Sequence, residues 1–486
     1  MKMAVLAGAA VVAVAAAAMV AALLSSPDAL RDVAVLEIGG GEGRVELVPV
    51  DAGAAGPESL AFDPAGGGPY AGVSDGRVLR WVPGERRWEE HSASCAPELL
   101  LEIGDAELLP LDGAAGPESL VFAGGYGDGG EGGPRSRACR TAGCLGAGGA
   151  ALGRALLLRA QTSSFSRETL LVPNQPESSA YGSRLTVVCR PPPSKLDSCR
   201  GSQDPGREHE CGRPLGLKFN PDTGELYVAD AYHGLRMVAP GPGGGKASRP
   251  VAPEWWQGAR AFSFANGVEV DPGTGAVYFT ETSTRFQRRE FLRIVVSGDT
   301  TGRLLRYDPR GGGGVEVLAD GLAFPNGLAM SSDGTHLLLA ETTTGRILRY
   351  WLRPTAPKAP ALLEEVARLP WFPDNIRMSP RGGFWVGLHA RRGKLAQYCI
   401  SYPWLRRLVL ALPPRHVQRA SSLLSRLGRQ VIALRLSEED GRVVEMASVH
   451  GDLRRVFRSV SEVAERNGSI WIGSVMSPFL GVYKLQ

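Results

Sequence analysis

From Phe264 to Glu281 the chain reads Phe-Ala-Asn-Gly-Val-Glu-Val-Asp-Pro-Gly-Thr-Gly-Ala-Val-Tyr-Phe-Thr-Glu. A polar residue and a glycine lead into alternating apolar positions up to Val270. A turn rich in Pro and Gly follows, and then a second apolar run, the pattern of a β-hairpin. The unit returns at Phe324-Pro-Asn-Gly-Leu-Ala-Met330 with His336-Leu-Leu-Leu-Ala-Glu341, and at Phe372-Pro-Asp-Asn-Ile-Arg-Met378 with Phe384-Trp-Val-Gly-Leu388. Looser copies are Gly56-Pro-Glu-Ser-Leu-Ala-Phe62, Arg213-Pro-Leu-Gly-Leu-Lys-Phe219 with Glu225-Leu-Tyr-Val-Ala229, and Ser461-Glu-Val-Ala-Glu465 with Ser469-Ile-Trp-Ile-Gly473. A third strand shows as Gly76-Arg-Val-Leu-Arg-Trp81, Gly302-Arg-Leu-Leu-Arg-Tyr-Asp308 and Gly345-Arg-Ile-Leu-Arg-Tyr-Trp351.

A repeat of roughly 50 residues built from short antiparallel strands predicts a β-propeller, here all-β and six-bladed over 34–486. No single unit can cover both faces of its small sheet, so the units must close in a ring. The other reading, a β-sandwich with chance similarity, does not explain three near-identical third strands. Blade one is expected over 34–92, blade two from 197 to about 245, and blades three to five over 250–392.

Two stretches break the pattern. Gly113-Ala-Ala-Gly-Pro-Glu-Ser-Leu-Val-Phe122 copies Gly53–Phe62, and Leu101-Glu-Ile-Gly104 copies Leu36–Gly39, but the copy runs into a Gly-, Ala- and Arg-rich tract. Removing 100–196 restores ordinary spacing, so this segment is expected to be an insertion without strands, disordered or an artefact of the gene model, with an extra blade as the alternative. Between 397 and 436, Tyr402–Leu412 and Pro414–Leu427 carry helical spacing of apolar residues with Arg between. This predicts a short helical hairpin in the last blade, over one mouth of the ring or against a membrane surface.

The chain starts with Lys2 and an uncharged apolar run, Met3 to Leu24, before Ser25-Ser-Pro-Asp28. Residues 1–24 are therefore expected to form an apolar leader helix, a signal peptide or an uncleaved anchor, which places the propeller in the secretory pathway. Vacuole, endoplasmic reticulum lumen and the exterior all fit, with a type II anchored form if the leader is kept. Among seven Cys, a disulfide between Cys199 and Cys211 would close the polar loop between them. Asn467-Gly-Ser469 is a glycosylation sequon and equally a hairpin turn. A net charge of +4 with interspersed signs gives no nucleic-acid groove. A monomer acting on a small molecule is expected, touching membrane only through an uncleaved leader.

In a propeller the first strand of every blade begins at the same mouth of the central channel. The residues that open these strands include Glu58, Asn266, Asn326, and Asp374 with Asn375. Hard oxygen donors without thiolate or clustered imidazole suit Ca²⁺. The alternative is that Asn-Gly and Asp-Asn are turn residues chosen for backbone geometry. His389, ending the second strand of its hairpin, is a candidate for assisting a bound water. Arg213 could meet an anionic substrate group or bridge blades.

The motifs Cys211-Gly-Arg-Pro-Leu-Gly-Leu-Lys-Phe219, Ala229-Asp-Ala-Tyr-His-Gly-Leu235, Phe264-Ala-Asn-Gly-Val-Glu-Val270, Thr280-Glu-Thr-Ser283, Phe324-Pro-Asn-Gly-Leu328 and Ser461-Glu-Val-Ala-Glu465 resemble the strictosidine synthase-like family of plants. The ending Ser477-Pro-Phe-Leu480 is similar to adipocyte plasma membrane-associated proteins. The resemblance covers 34–486 apart from 100–196. It implies a six-bladed propeller of the superfamily that includes paraoxonases and gluconolactonases, with a channel Ca²⁺ on Glu58, Asn266, Asn326, Asp374 and Asn375. It also implies a comparison with strictosidine synthases, which join tryptamine to the aldehyde of secologanin by means of a glutamate in the last blade. Ser461 stands at that position here and Glu462 is one place away, on the opposite face of a regular strand. Three functions follow: Ca²⁺-dependent hydrolysis of esters or lactones, the amine–aldehyde condensation, and a non-catalytic binding propeller.

Overall fold

The computed structural model describes residues 33–39, 44–94, 101–103, 121–123, 155–157, 185–187, 198–240, 248–251, 262–311, 314–352, 363–392, 398, 402–404, 407, 411 and 430–485. The expected leader at 1–24 lies outside the described residues. Among the described residues no helix is long and apolar enough to cross a membrane.

Residues 1–97 and 189–486 form one compact unit, and 98–188 another. In the first unit six sheets of four or five strands make a β-propeller. Each blade opens with an inner strand: Leu60–Ala61, Pro214–Phe219, Ala265–Val270, Pro325–Met330, Trp371–Met378 and Glu462–Arg466. Each then meanders outward through antiparallel neighbours, as Ala265–Val270, Val277–Glu281, Gly302–Tyr307 and Val315–Leu322 do in blade three.

The core explains the ring. One apolar cluster fills each seam between neighbouring blades, for example Tyr227, Ala229 and Leu235 of blade two against Val268, Val270 and Phe279 of blade three. The other five seams are filled in the same way. Both faces of a blade are therefore buried, and Ala265–Val270, Val277–Glu281 and Pro325–Met330 are buried at every position. At the inner edge, glycines let one blade touch the next. Gly72 faces Pro214, Gly216 faces Val268, Gly267 faces Gly327, Gly327 faces Asn375, Gly387 faces Ser461, and Gly473 faces Pro57 and Glu58. The last of these contacts returns to blade one and completes the circle. Threonines tie the same seams: Thr280 Oγ1 donates to the Asn326 carbonyl at 2.8 Å and Thr342 Oγ1 to that of Pro373 at 2.7 Å.

Two placements differ from the sequence reading. Residues 34–49 do not belong to blade one. Val45–Pro49 is the outer strand of blade six, antiparallel to Phe479–Lys484, and Ala34–Ile38 lies parallel to Val443–Val449 on blade five. Closing the last blade with an N-terminal strand removes a free edge, which local alternation cannot reveal. The helical residues 403, 404, 407 and 411 fall between Phe384–Arg391 and Gln430–Leu436, the second and third strands of blade five rather than in blade six. Gln430–Leu436 lacks the Gly-Arg opening of the third strands of blades one, three and four, which hid its membership.

The unit 98–188 contains strands that the sequence did not lead us to expect. Leu101–Ile103 pairs with Leu185–Val187, and Val121–Ala123 with Ala155–Leu157, all antiparallel. Three-residue strands are too short for alternation to register. The copied motif keeps its conformation: Leu101–Ile103 matches the strand residues Leu36–Ile38, with a different partner. The rest of this segment lies outside the described residues.

Candidate functional site

The inner strands are irregular at the same place. Between first and second strands the register breaks between Ala265 and Val268, between Pro325 and Leu328, and between Pro373 and Ile376. Asn266-Gly267, Asn326-Gly327 and Asp374-Asn375 occupy these breaks. Bulges of this kind re-aim a side chain, and they are common beside active sites. These residues are therefore not hairpin-turn residues. Gly267 N–H, freed from the ladder, donates to Thr280 Oγ1 at 2.8 Å.

The side chains at these breaks, and Glu58 just ahead of the inner strand of blade one, are buried: Glu58 is 4% exposed, Asn266 2%, Asn326 4% and Asp374 4%. Asn326 Nδ2 donates to Asp374 Oδ1 at 2.7 Å, and Asn266 Nδ2 donates to Thr282 Oγ1 at 3.0 Å. Glu58 Oε2, Asn266 Oδ1 and Asn326 Oδ1 have no hydrogen-bond partner among the described residues. Leaving a buried acceptor unmade costs about 1–3 kcal/mol, so three at the openings of the inner strands of blades one, three and four point to an absent electropositive partner. Burial first, and then the negative charge of Asp374, push the Glu58 carboxyl up to about 8 against the opposing pull of Arg288 and Arg213. Oxygens alone, two of them amide oxygens, fit a hard divalent cation such as Ca²⁺. Among the described residues no three of His, Cys, Asp and Glu come together as a metal cluster, so such a cation would depend on the asparagines. Asn375 differs from the others, because its unpartnered buried atom is the donor Nδ2 while its backbone N–H donates to the Ser461 carbonyl at 2.9 Å.

His389 lies beside this group. Its Nδ1 is 2.8 Å from Ser459 Oγ and 3.7 Å from Asp374 Oδ2, and the side chain is 32% exposed. Ser461 is buried and structural, with its Oγ accepting from Val475 N–H at 3.1 Å. Leu215, Phe264, Ile294 and Phe324 pack in one buried apolar cluster. Phe264 and Phe324 stack edge to face at 5.8 Å, each two residues before its asparagine. Phe324 has φ +62°, a conformation that costs a bulky residue about 1–3 kcal/mol and that clusters at functional sites.

A second polar layer escaped the sequence reading. Arg377 pairs with Glu462 at 2.8 Å and donates to Ser59 Oγ at 2.7 Å, while Lys218 pairs with Glu269 at 2.6 Å. Glu462 Oε1 also accepts from Leu60 N–H at 2.9 Å. These contacts join five blades across the channel. The signal was present: Glu269 and Arg377 each follow a site residue by three positions, because the bulge adds one residue to the usual two.

Arg213 bridges blades. Its guanidinium donates to the carbonyls of Ala55 at 3.4 Å, Gly56 at 3.2 Å and Val475 at 3.3 Å. The Cys199–Cys211 disulfide forms as expected, with Cα atoms 5.6 Å apart. It holds the turn that carries Glu208, which accepts from Arg288 Nη1 at 2.6 Å. Asn467 sits at a hairpin tip with φ +49°.

The strictosidine synthase family model matches residues 266–355, opening on Asn266, and the N-terminal model of strictosidine synthase-like proteins matches 43–81. Strictosidine synthase-like 2 of Arabidopsis thaliana is 35% identical over 90% of this chain and 89% of its own length. The chain belongs to the strictosidine synthase-like family. Strictosidine synthase-like 10 of the same plant is 37% identical over 89% of the chain and 86% of its own length. Adipocyte plasma membrane-associated protein of Salmo salar is 34% identical over 62% and 68%. Among solved structures, a gluconolactonase of Xanthomonas campestris superposes with a TM-score of 0.44 and 12% identity over 95% of this chain and 94% of that one.

Proposed function

We propose that this strictosidine synthase-like propeller hydrolyses small esters or lactones in a lumenal compartment, with a divalent cation, Ca²⁺ by its donor set, at the channel mouth. The reading rests on one observation: Glu58 Oε2, Asn266 Oδ1 and Asn326 Oδ1 are buried without hydrogen-bond partners among the described residues, and Asn326 is bonded to Asp374. Those four residues would hold the ion. When bound, it supplies a fixed positive charge against which a substrate carbonyl is polarised. With Ser459 and Asp374 both on the Nδ1 side of His389, the ring proton is favoured there, which leaves Nε2 to take a proton from the attacking water and return it to the leaving oxygen. Phe264 and Phe324 keep bulk water from the reacting carbonyl and strengthen its electrostatics. The disulfide fits an oxidising lumen.

Purified full-length protein should hydrolyse phenyl acetate or γ-butyrolactone, lose activity to chelator and regain it with Ca²⁺. Activity indifferent both to chelator and to Asn266→Ala would refute the reading. Membership of the family favours the amine–aldehyde condensation as a second reading. It lacks a free base, since Ser461 holds a backbone N–H and Glu462 is paired with Arg377. Tryptamine and secologanin, followed by mass spectrometry, decide it.

A further inference from the structure

At the channel mouth two guanidiniums share one carboxylate. Arg288 Nη1 donates to Glu208 Oε1 at 2.6 Å, and Arg213 Nε lies 3.9 Å from the same oxygen, too far for a hydrogen bond. The other oxygen of Glu208 accepts from the Tyr232 hydroxyl at 3.0 Å, so both oxygens are engaged by donors nearer than Arg213 Nε. Arg213 is 1% exposed, yet its Nε has no hydrogen-bond partner among the described residues. A buried charged donor without an acceptor is costly, so the geometry lacks an acceptor at this point.

Charge tells the same story. With Glu58 in the ionised form that binds a cation, Glu58, Asp374 and Glu208 set against Arg213 and Arg288 leave one negative charge among these five side chains. The divalent cation of the proposed function would turn that into one positive charge, and a monoanionic ligand would restore neutrality. The two arginines are close enough to the cation site for their fields to act on Glu58. Arg288 is the one a ligand can reach, with its side chain 16% exposed where that of Arg213 is 1%.

We propose that Arg288, backed by Arg213 Nε, is a specificity residue that selects substrates carrying a carboxylate beside the ester or lactone to be cleaved. The planar guanidinium fork matches a carboxylate, and the disulfide-held turn with Glu208 keeps Arg288 extended towards the mouth until a ligand anion competes for it. The inference deepens the hydrolase reading and rests on it for the word substrate, but not for the anion site itself.

The test compares 4-acetoxybenzoate with its neutral isostere 4-acetoxybenzamide on the full chain with Ca²⁺. Binding of the products 4-hydroxybenzoate and 4-hydroxybenzamide is followed by calorimetry. The wild type should prefer the acid by about ten- to a hundredfold in kcat/KM, mostly through KM. Arg288→Gln should bring the ratio of acid to amide near one, and Glu208→Gln, which frees both guanidiniums, should tighten 4-hydroxybenzoate binding. A purely structural Arg288 would weaken acid and amide alike. A charge preference that survives Arg288→Gln, or Glu208→Gln that weakens acid binding, would overturn the proposal. If neither ester is hydrolysed but 4-hydroxybenzoate still binds through Arg288, the hydrolase reading fails and the anion site stands.

Discussion

Asn326 donates its side-chain amide to Asp374 Oδ1 at 2.7 Å, joining the inner strands of blades four and five across 48 positions of sequence. The bond engages the amide nitrogen and leaves Asn326 Oδ1 without a hydrogen-bond partner among the described residues, as Glu58 Oε2 and Asn266 Oδ1 also are. Asn326→Ala removes an oxygen donor and also frees Asp374. Its Ca²⁺ affinity, read by calorimetry, should fall by at least about tenfold, or ~1.4 kcal/mol. Thr335→Ala, in the turn at the opposite end of that hairpin where its hydroxyl bonds Asp333, should leave affinity unchanged.

The inner glycines are predicted to be intolerant of even one methyl group. A Cβ on Gly327 would stand 2.5 Å from Asn375 Cα, a backbone atom that cannot step aside. Gly327→Ala should cost about 1–3 kcal/mol in urea unfolding, and it should lower Ca²⁺ affinity by moving Asp374. By contrast, a Cβ on Gly334 meets nothing within 4 Å, so Gly334→Ala perturbs only its turn, where φ is +66°.

Most of this geometry was legible in sequence because it repeats. Asn266, Asn326 and Asp374 sit at one place in three copies of a unit, so they occupy matching register breaks on the inner strands of blades three, four and five. What repetition did not carry was lost. Val45–Pro49 alternates well enough to be a strand, but its partner is chosen by proximity of chain ends. Glu462 was set aside on the alternation of a regular strand, yet it reaches Arg377 across the channel. Arg288 and Glu208 belong to no repeat, and they meet across 80 positions, with Glu208 in the loop that the disulfide closes.

The Cys199–Cys211 bond spans 12 positions. Cross-linking a loop of that size removes chain entropy worth roughly 3 kcal/mol from the unfolded state. The double variant Cys199→Ser, Cys211→Ser should lose stability of that order in chemical denaturation. Arg288 should lose its anchor too, so the preference for acid over amide substrates should shrink.

His91 sets a pH dependence. Burial first, and then the neighbouring Arg80, push its imidazole down from 6.5 to about 4, while it packs edge to face on Tyr70 at 4.9 Å. The native state keeps the ring neutral, whereas the unfolded chain takes up a proton below about pH 6.5. The stability this contributes is fully present above that pH and lost as pH falls towards 4, up to roughly 3 kcal/mol. His91→Gln should flatten the melting temperature over that window relative to wild type.

Crystals of the full chain grown with Ca²⁺, with anomalous scattering recorded at a long wavelength, test the central claim most directly. A peak in contact with Glu58 Oε2, Asn266 Oδ1, Asn326 Oδ1 and Asp374 is the predicted result. Those oxygens found satisfied by water or by side chains, with no peak between them at saturating Ca²⁺, would contradict it.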